Sequence, residues 1–472
     1  MLAAMTPDSL QDSPLNLLAR HPRATLIATI LGSSMALIDG SVVNVALPSL
    51  AHDLAASPAQ LSWTINAYLL PLGALTLLGG ALGDYFGRRR LFLAGLAIFT
   101  LASLLCAIAP GLAMLLAGRA LQGLGAALLM PNSLAILGAA FQGQARGRAI
   151  GTWAAVGALA AVIGPLMGGW LVDNVGWRAI FLVNLPIAGV TAWLAIGFVD
   201  ESLVRQPQKT LDWAGAALVT LALGLLTLAL TESAARDSVA NLALAAAVAG
   251  LILLAGFIRL EALRGAQAIL PLVIFSTPEI LGLTLVTWFL YASLGGLMVL
   301  LPYLLIEAAH YSAVSAGAAL LPLPIVIGLG SRLMGQMAGR FGARIPLAAG
   351  SAIIAAGLAL YARIGTGGID YWSDIFPPTL LVAIGFGTIV APLTTAVMAS
   401  VDAARVGIAS GFNSAVARIA GLVATALLGL VFARQGSVEG LEAGMRAAAL
   451  VGAASAAGAC LCALALIHDA PG

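Results

Sequence analysis

Apolar residues run along this chain in long blocks separated by short polar segments, without the one-sided periodicity of a helix that faces water. A helix that crosses a bilayer needs about 20 mostly apolar residues. Fourteen runs are of roughly that length: Thr25–Pro48, Leu61–Leu82, Leu91–Ala109, Leu112–Gly138, Ala149–Val172, Ala179–Val199, Trp213–Thr231, Val239–Ile258, Ile280–Ile306, Ser315–Met334, Ile345–Ala362, Pro377–Val397, Gly407–Phe432 and Ala447–Ile467. The pattern predicts an all-α polytopic membrane protein with 14 transmembrane helices. Pro110-Gly111 marks a very tight turn between the third and fourth. Residues 1–24 are mixed and polar and read as a cytoplasmic N-terminal tail. The first apolar run continues too far for a cleavable signal and carries Asp39, so it reads as a retained span.

Composition agrees. The 472 residues are 61% hydrophobic and 9% charged, with a mean hydropathy of +1.03. A soluble domain carries about 25% charged residues, because its surface must be solvated. The net charge of +2 is too small to point to nucleic acid. Cys106, Cys460 and Cys462 lie in apolar runs and read as packing residues, without disulfide or metal spacing. No Walker-type phosphate loop is present, which argues against an ATP-driven pump, and no cofactor or metal is expected.

Orientation follows from Lys and Arg in the short loops. With the N-terminus inside, the inner loops hold fourteen such residues against five outside, so both termini are expected in the cytoplasm. Three arginines, Arg119, Arg332 and Arg418, fall within spans. An internal repeat is also visible. Gly80-Ala-Leu-Gly-Asp84-Tyr-Phe-Gly87-Arg-Arg-Arg90 follows the second span, and Gly335-Gln-Met-Ala-Gly339-Arg-Phe-Gly342-Ala-Arg344 follows the tenth. Each joins the second and third helix of a six-helix unit if spans seven and eight are an insertion. The expected organisation is a tail at 1–24, a six-helix bundle at 25–199, a linker with two inserted spans at 200–270 and a second six-helix bundle at 271–472. Such parallel repeats place a substrate site between them near the midplane.

Four segments carry a resemblance. Gly80 to Arg90 matches the loop motif Gly-x-Leu-x-Asp-x-x-Gly-Arg-Arg/Lys, with Tyr85 where a basic residue is usual. Leu37-Ile-Asp39-Gly-Ser-Val-Val-Asn44-Val-Ala-Leu-Pro48 resembles a first-helix motif, with Ser41 in place of Thr. Gly118-Arg119-Ala-Leu-Gln122-Gly123-Leu-Gly125 resembles a fourth-helix motif. Gly164-Pro165-Leu-Met-Gly168-Gly169 resembles the fifth-helix antiporter motif, with Ala160 where it usually has Gly. Together they resemble the fourteen-span drug:proton antiporters of the major facilitator superfamily.

Asp39 is the only acid deep in a span, about 13 Å from the outer end of its run, and Arg119 lies about 10 Å from the outer end of its own. Similar depth makes them partners. Asp39 reads either as a proton-binding site tuned by Arg119 or as half of a permanent structural ion pair; intramembrane ionisable groups are functional by default. Arg418 is about 16 Å from the inner end of the thirteenth run and must meet water, a carbonyl, Asp39 or a substrate anion. Its alternative is a helix-packing arginine. Gly80, Asp84, Gly87, Arg88 and Arg89 read as positive-inside anchoring, and the resemblance implies a conformational latch between the halves. Gly164, Pro165, Gly168 and Gly169 read as close helix packing, and the resemblance implies antiport. Asn44, Gln122, Trp153, Trp288, Tyr291, Asn413 and Arg418 are candidates for the substrate cavity, with Trp63, Tyr68 and Phe412 as further aromatics.

The expected function is proton-coupled efflux of small amphipathic molecules, drugs or toxic metabolites, across the cytoplasmic membrane by alternating access. The partners would be a small-molecule substrate, protons and the lipid bilayer, without nucleic acid, and the chain would act as a monomer. The alternatives are a dedicated transporter of one metabolite or lipid and, further behind, a membrane-bound enzyme, for which no cluster of acid, base or metal ligands is found at an interface.

Overall fold

A computed structural model of the chain describes residues 19–141, 143–202, 212–232, 240–265, 278–364, 369–401, 406–432 and 438–467. Its first half contains α1 (Pro22–Asp53), α2 (Pro58–Phe86), α3 (Arg88–Ala107), α4 (Leu112–Ala140), α5 (Gly143–Asn174), α6 (Ala179–Leu182) and α7 (Asn184–Phe198). A hairpin of α8 (Trp213–Glu232) and α9 (Ala240–Arg264) follows. The second half contains α10 (Pro278–Glu307), α11 (Ala313–Ala319), α12 (Pro322–Phe341), α13 (Arg344–Tyr361), α14 (Phe376–Ala399), α15 (Val406–Phe432) and α16 (Val438–Leu466), with a π-helical turn at Tyr371–Ile375 ahead of α14.

Among the described residues, eleven helices are long and apolar enough to cross a membrane, or twelve if α2, bent by 53° between Thr76 and Leu78, is one span. The expected fourteen is thus matched in part. Two apolar runs are broken where proline falls. The sixth splits at Val183, just before Leu185-Pro186, and the tenth splits before Pro322, which opens α12. Proline lacks the N–H that would continue a helix but fits a first turn. The run beginning at Thr25 extends at both ends, to Pro22 and Asp53. The start of α2 is fixed by a capping box, in which Ser57 Oγ accepts from Gln60 N–H and the Gln60 side chain accepts from Ser57 N–H at 2.7 Å.

Large apolar side chains face outward along the helices, for example Leu101, Trp193 and Leu263, which are 69%, 65% and 75% exposed. That surface suits lipid and not water. The hairpin α8–α9 packs through α8 on both α2 and α15, so it touches both halves.

Let the near end be where α1 begins and the far end where it stops. At the far end one apolar core is continuous across the halves: Leu47, Leu50 and Phe181 share it with Leu301, Leu304 and Ala316. Toward the near end the cores around Phe92 and around Leu137 contain residues of the first half alone. The far-end seal also has a polar clamp. Asp173, at the end of α5, accepts from the backbone N–H of Ala313 at 3.2 Å and of Val314 at 3.0 Å, where α11 begins. Glycines let α5 and α11 touch: a Cβ at Gly169 would strike the Ala313 backbone, and one at Gly317 would strike the Pro165 carbonyl.

Candidate functional site

Asp39 and Arg119 meet. Both are buried, at 0% and 1% side-chain exposure, and Arg119 Nη1 donates to Asp39 Oδ2. Asp39 Oδ1 accepts from Gln122 Nε2 at 2.9 Å and from Asn184 Nδ2 at 3.0 Å. Gln122 Oε1 accepts a second bond from Arg119 Nη1 at 2.8 Å, and Gln122 Nε2 reaches Ser103 Oγ at 2.8 Å. Arg119 Nε donates to the Thr64 carbonyl at 3.1 Å. Its guanidinium covers the Tyr68 ring, with Cζ 4.4 Å from the centroid. The pair thus gathers α1, α2, α3, α4 and the start of α7. Removing one partner of such a pair costs about 3–5 kcal/mol, because the other charge is left buried.

A cavity of about 350 Å³ lies in the second half, lined by Tyr291, Thr394, Val397, Asn413, Ser414, Ala417 and Arg418. Thr394 and Val397 are close to the end of α14, and Asn413 to Arg418 occupy the first half of α15, which places the cavity on the near-end side of centre. Arg418 reaches across to the first half, where its Nη2 contacts the Met130 thioether at 3.3 Å. Among the described residues it forms no ion pair. Arg418 also packs on α2, where a Cβ at Gly73, five residues beyond Tyr68, would lie 3.5 Å from Arg418 Cβ.

Of the cavity candidates, Tyr291, Asn413 and Arg418 line it. Gln122 is fully buried in the ion-pair network and not in the cavity wall. Trp153 is half-buried, and its indole N–H is shared between Ser33 and Ser133 hydroxyls, each 3.0 Å away. Asn44 and Trp288 are half-buried on α1 and α10 and do not line the cavity in this conformation.

The Gly80–Arg89 loop is held within the first half. Arg88 donates to Asp84 Oδ1 from Nη2 at 2.8 Å and to the Ala135 carbonyl from Nη1 at 3.1 Å. Gly87 has φ +108°, a backbone that side chains rarely adopt. Glu201, just beyond α7, caps α3 through the N–H groups of Arg89 at 3.1 Å and Arg90 at 3.2 Å. In the antiporter segment, Gly164 lies against Ser41 Oγ and Gly168 against Val42, so α5 packs on α1 immediately beside Asp39.

Residues 29–425 match the Major Facilitator Superfamily. The chain belongs to that superfamily. It is 33% identical over 416 residues to the multidrug resistance protein Stp of Mycobacterium tuberculosis, covering 87% of this chain and 75% of that protein. It is 32% identical over 435 residues to the tetracenomycin C resistance and export protein of Streptomyces glaucescens, covering 90% and 79%. Its fold is similar to a crystal structure of a peptide transporter, POT, in complex with sulfate, with a TM-score of 0.66 at 16% identity and 93% of each chain covered. This major facilitator chain is therefore a multi-pass membrane transporter, related to drug efflux and resistance proteins, and the resemblance read from its four motifs agrees.

Four further residues of this transporter's site network went unassigned in the sequence: Asn184, Ser103, Asp173 and Glu201. Asn184 had a signal, as the one amide in its apolar run. Asp173 and Glu201 sit at run ends, where an acid reads as an ordinary solvated boundary. Ser103 resembles any small polar residue that bonds its own helix, as it also does to Phe99 O at 2.8 Å.

Proposed function

We propose that the chain exports small amphipathic molecules, drugs or toxic metabolites, across the cytoplasmic membrane in exchange for protons. The observation that supports this most is a carboxylate, Asp39, buried with Arg119 in the first bundle, opposite a cavity of the second bundle whose Arg418 reaches across to Met130 of the first. A change of charge on Asp39 would change the field in that cavity. The sealed far end and separate near-end cores fit an inward-facing state, with the near end cytoplasmic. In this state the Asp84–Arg88 group stays within the first half, and its latch to the second half would form when the near end closes. The export direction is supported by relatives named for resistance and export. Fourteen spans follow if α5 and α15, 32 and 27 residues long, also cross, and both termini are then cytoplasmic. The two six-helix bundles are residues 25–199 and 271–472, and the protomer works alone.

A second reading has its own support. Both oxygens of Asp39 are occupied by three donors, as a permanent structural pair requires. Proteoliposomes with an imposed pH gradient separate the two. Asp39→Asn should abolish uphill export while leaving downhill exchange. Uphill pumping by the variant at the wild-type rate would make the pair structural.

A further inference from the structure

We infer that the cavity at Arg418 is an oxyanion subsite that receives the carboxylate, phenolate or sulfonate of a monoanionic amphipathic substrate. This rests on the transporter reading above and narrows it.

The chain contains an internal comparison. Among the described residues, Arg119 and Arg418 lie well inside their helices, α4 and α15. Arg119 has a carboxylate, an amide oxygen and a carbonyl arranged around it. Arg418 has a thioether at 3.3 Å and, among the described residues, no ion pair. A thioether is a weak acceptor, and a guanidinium carries five N–H donors. Asp39 cannot serve Arg418 without giving up Arg119, Gln122 or Asn184. Arg418 is half-buried in the cavity wall, where a guanidinium without a counter-charge is less well solvated than in bulk water. A chain that retains Arg418 there gains most when the missing anion arrives with the substrate.

The rest of the lining has the same sense. It contains no acid. Asn413 Oδ1 is paired with Thr287 Oγ1 at 2.6 Å, which leaves its amide N–H groups outside that contact. Asn413 and Ala417, and Ser414 and Arg418, are each four apart on α15 and so share one face. The Tyr291 ring, edge-on to Phe386 at 6.3 Å, and Val397 supply an apolar wall for the substrate body. A volume of about 350 Å³ is that of a small-ligand pocket. A cationic substrate would meet a like charge where the dielectric is low, with no acid to offset it.

The test uses purified full-length protein in nanodiscs and two probes of one ring skeleton: anionic 8-anilinonaphthalene-1-sulfonate and neutral N-phenyl-1-naphthylamine. Saturable binding is read above empty nanodiscs. Wild type should bind the sulfonate more tightly. Arg418→Gln should lower the sulfonate-to-neutral affinity ratio at least about tenfold, the worth of a hydrogen-bonded charge. Arg418→Lys should recover part of it. Asn413→Ala, which removes no charge, should lower the ratio less. An unchanged ratio in Arg418→Gln, a parallel loss of both probes, or failure of wild type to bind the sulfonate overturns the subsite. Driven movement is measured separately in proteoliposomes. Selective anion binding without pH-driven movement would remove the exporter reading and leave the subsite, whereas pH-driven movement of the neutral probe alone would do the reverse.

Discussion

The Tyr68 ring lies under the Arg119 guanidinium, 4.4 Å from centroid to Cζ, while the Tyr68 hydroxyl donates to the Ala36 carbonyl at 2.9 Å. The two contacts can be separated. Tyr68→Phe keeps the ring and loses one hydrogen bond, about 1 kcal/mol. Tyr68→Ala loses the ring, about 3–5 kcal/mol, and uncovers the Arg119 guanidinium that the ring covers. Thermal unfolding and pH-driven export should both show Phe close to wild type and Ala far below it. Equal behaviour of the two variants would remove the ring from the coupling route.

The far-end seal depends on backbone contact that cannot yield. A methyl at Gly169 would meet the Ala313 main chain, so Gly169→Ala should push α5 from α11. Gly151, on the same helix, has open space, and Gly151→Ala should stabilise by about 0.5–1 kcal/mol through helix propensity. Proton leak into proteoliposomes should rise for the first and stay at the wild-type level for the second. A tight Gly169→Ala protein would show that the contact is not part of the seal.

Two acids serve the Gly80–Arg89 loop in different ways. Asp84 holds the Arg88 side chain, and Glu201 holds the α3 N-terminus. Asp84→Asn should slow transport at equal expression, and Gly339→Asp in the second repeat should matter less. Glu201→Ala should cost about 1 kcal/mol of stability, the worth of a helix cap. A wild-type transport rate in Asp84→Asn would leave only an anchoring role for the loop.

Charge counting predicts the response to membrane potential. If one proton enters per cycle, export of a monocation moves no net charge, of a neutral molecule one, and of a monoanion two. Each charge is worth about 2.3 kcal/mol per 100 mV, so the anion gains about 4.6. Efflux at potentials clamped with potassium and valinomycin should depend about twice as steeply on voltage for the sulfonate as for the neutral probe. Equal slopes would rule out one proton exchanged for one anion.

Topology has a direct test. Single cysteines near Gly339 should react with membrane-impermeant reagents from the cytoplasmic side alone, because two spans in the α8–α9 segment keep the second repeat's loop inside. Reaction from outside would refute the fourteen-span count.

The broad architecture was legible because lipid removes the usual ambiguity. A helix is stable there only as a long apolar run, and a lone Asp39 and Arg119 at similar depth had few partners but each other. The breaks at Val183 and Pro322 were harder to see, since apolar residues continue through them. The cavity was legible in part. Arg418, Asn413 and Tyr291 line it, but Gln122, which looked equally suited, is taken up by Asp39, Ser103 and Arg119 within the first bundle. Depth along a helix can be counted from sequence, whereas rotation about its axis depends on neighbours that nearly uniform apolar composition does not mark. For the same reason the lone amide of Asn184 in its apolar run did not reveal its partner Asp39, 145 residues away, and Glu201, 112 residues from Arg89, had no local signature.

Asp173 takes both of its clamp bonds from peptide N–H groups and not from side chains. Every residue type except proline supplies the same donors at positions 313 and 314. Mutational drift or deliberate recoding there leaves the donating half of the clamp intact, so the side-chain information for these two bonds is concentrated in one codon, that of residue 173, while the close approach around them rests on Gly169 and Gly317.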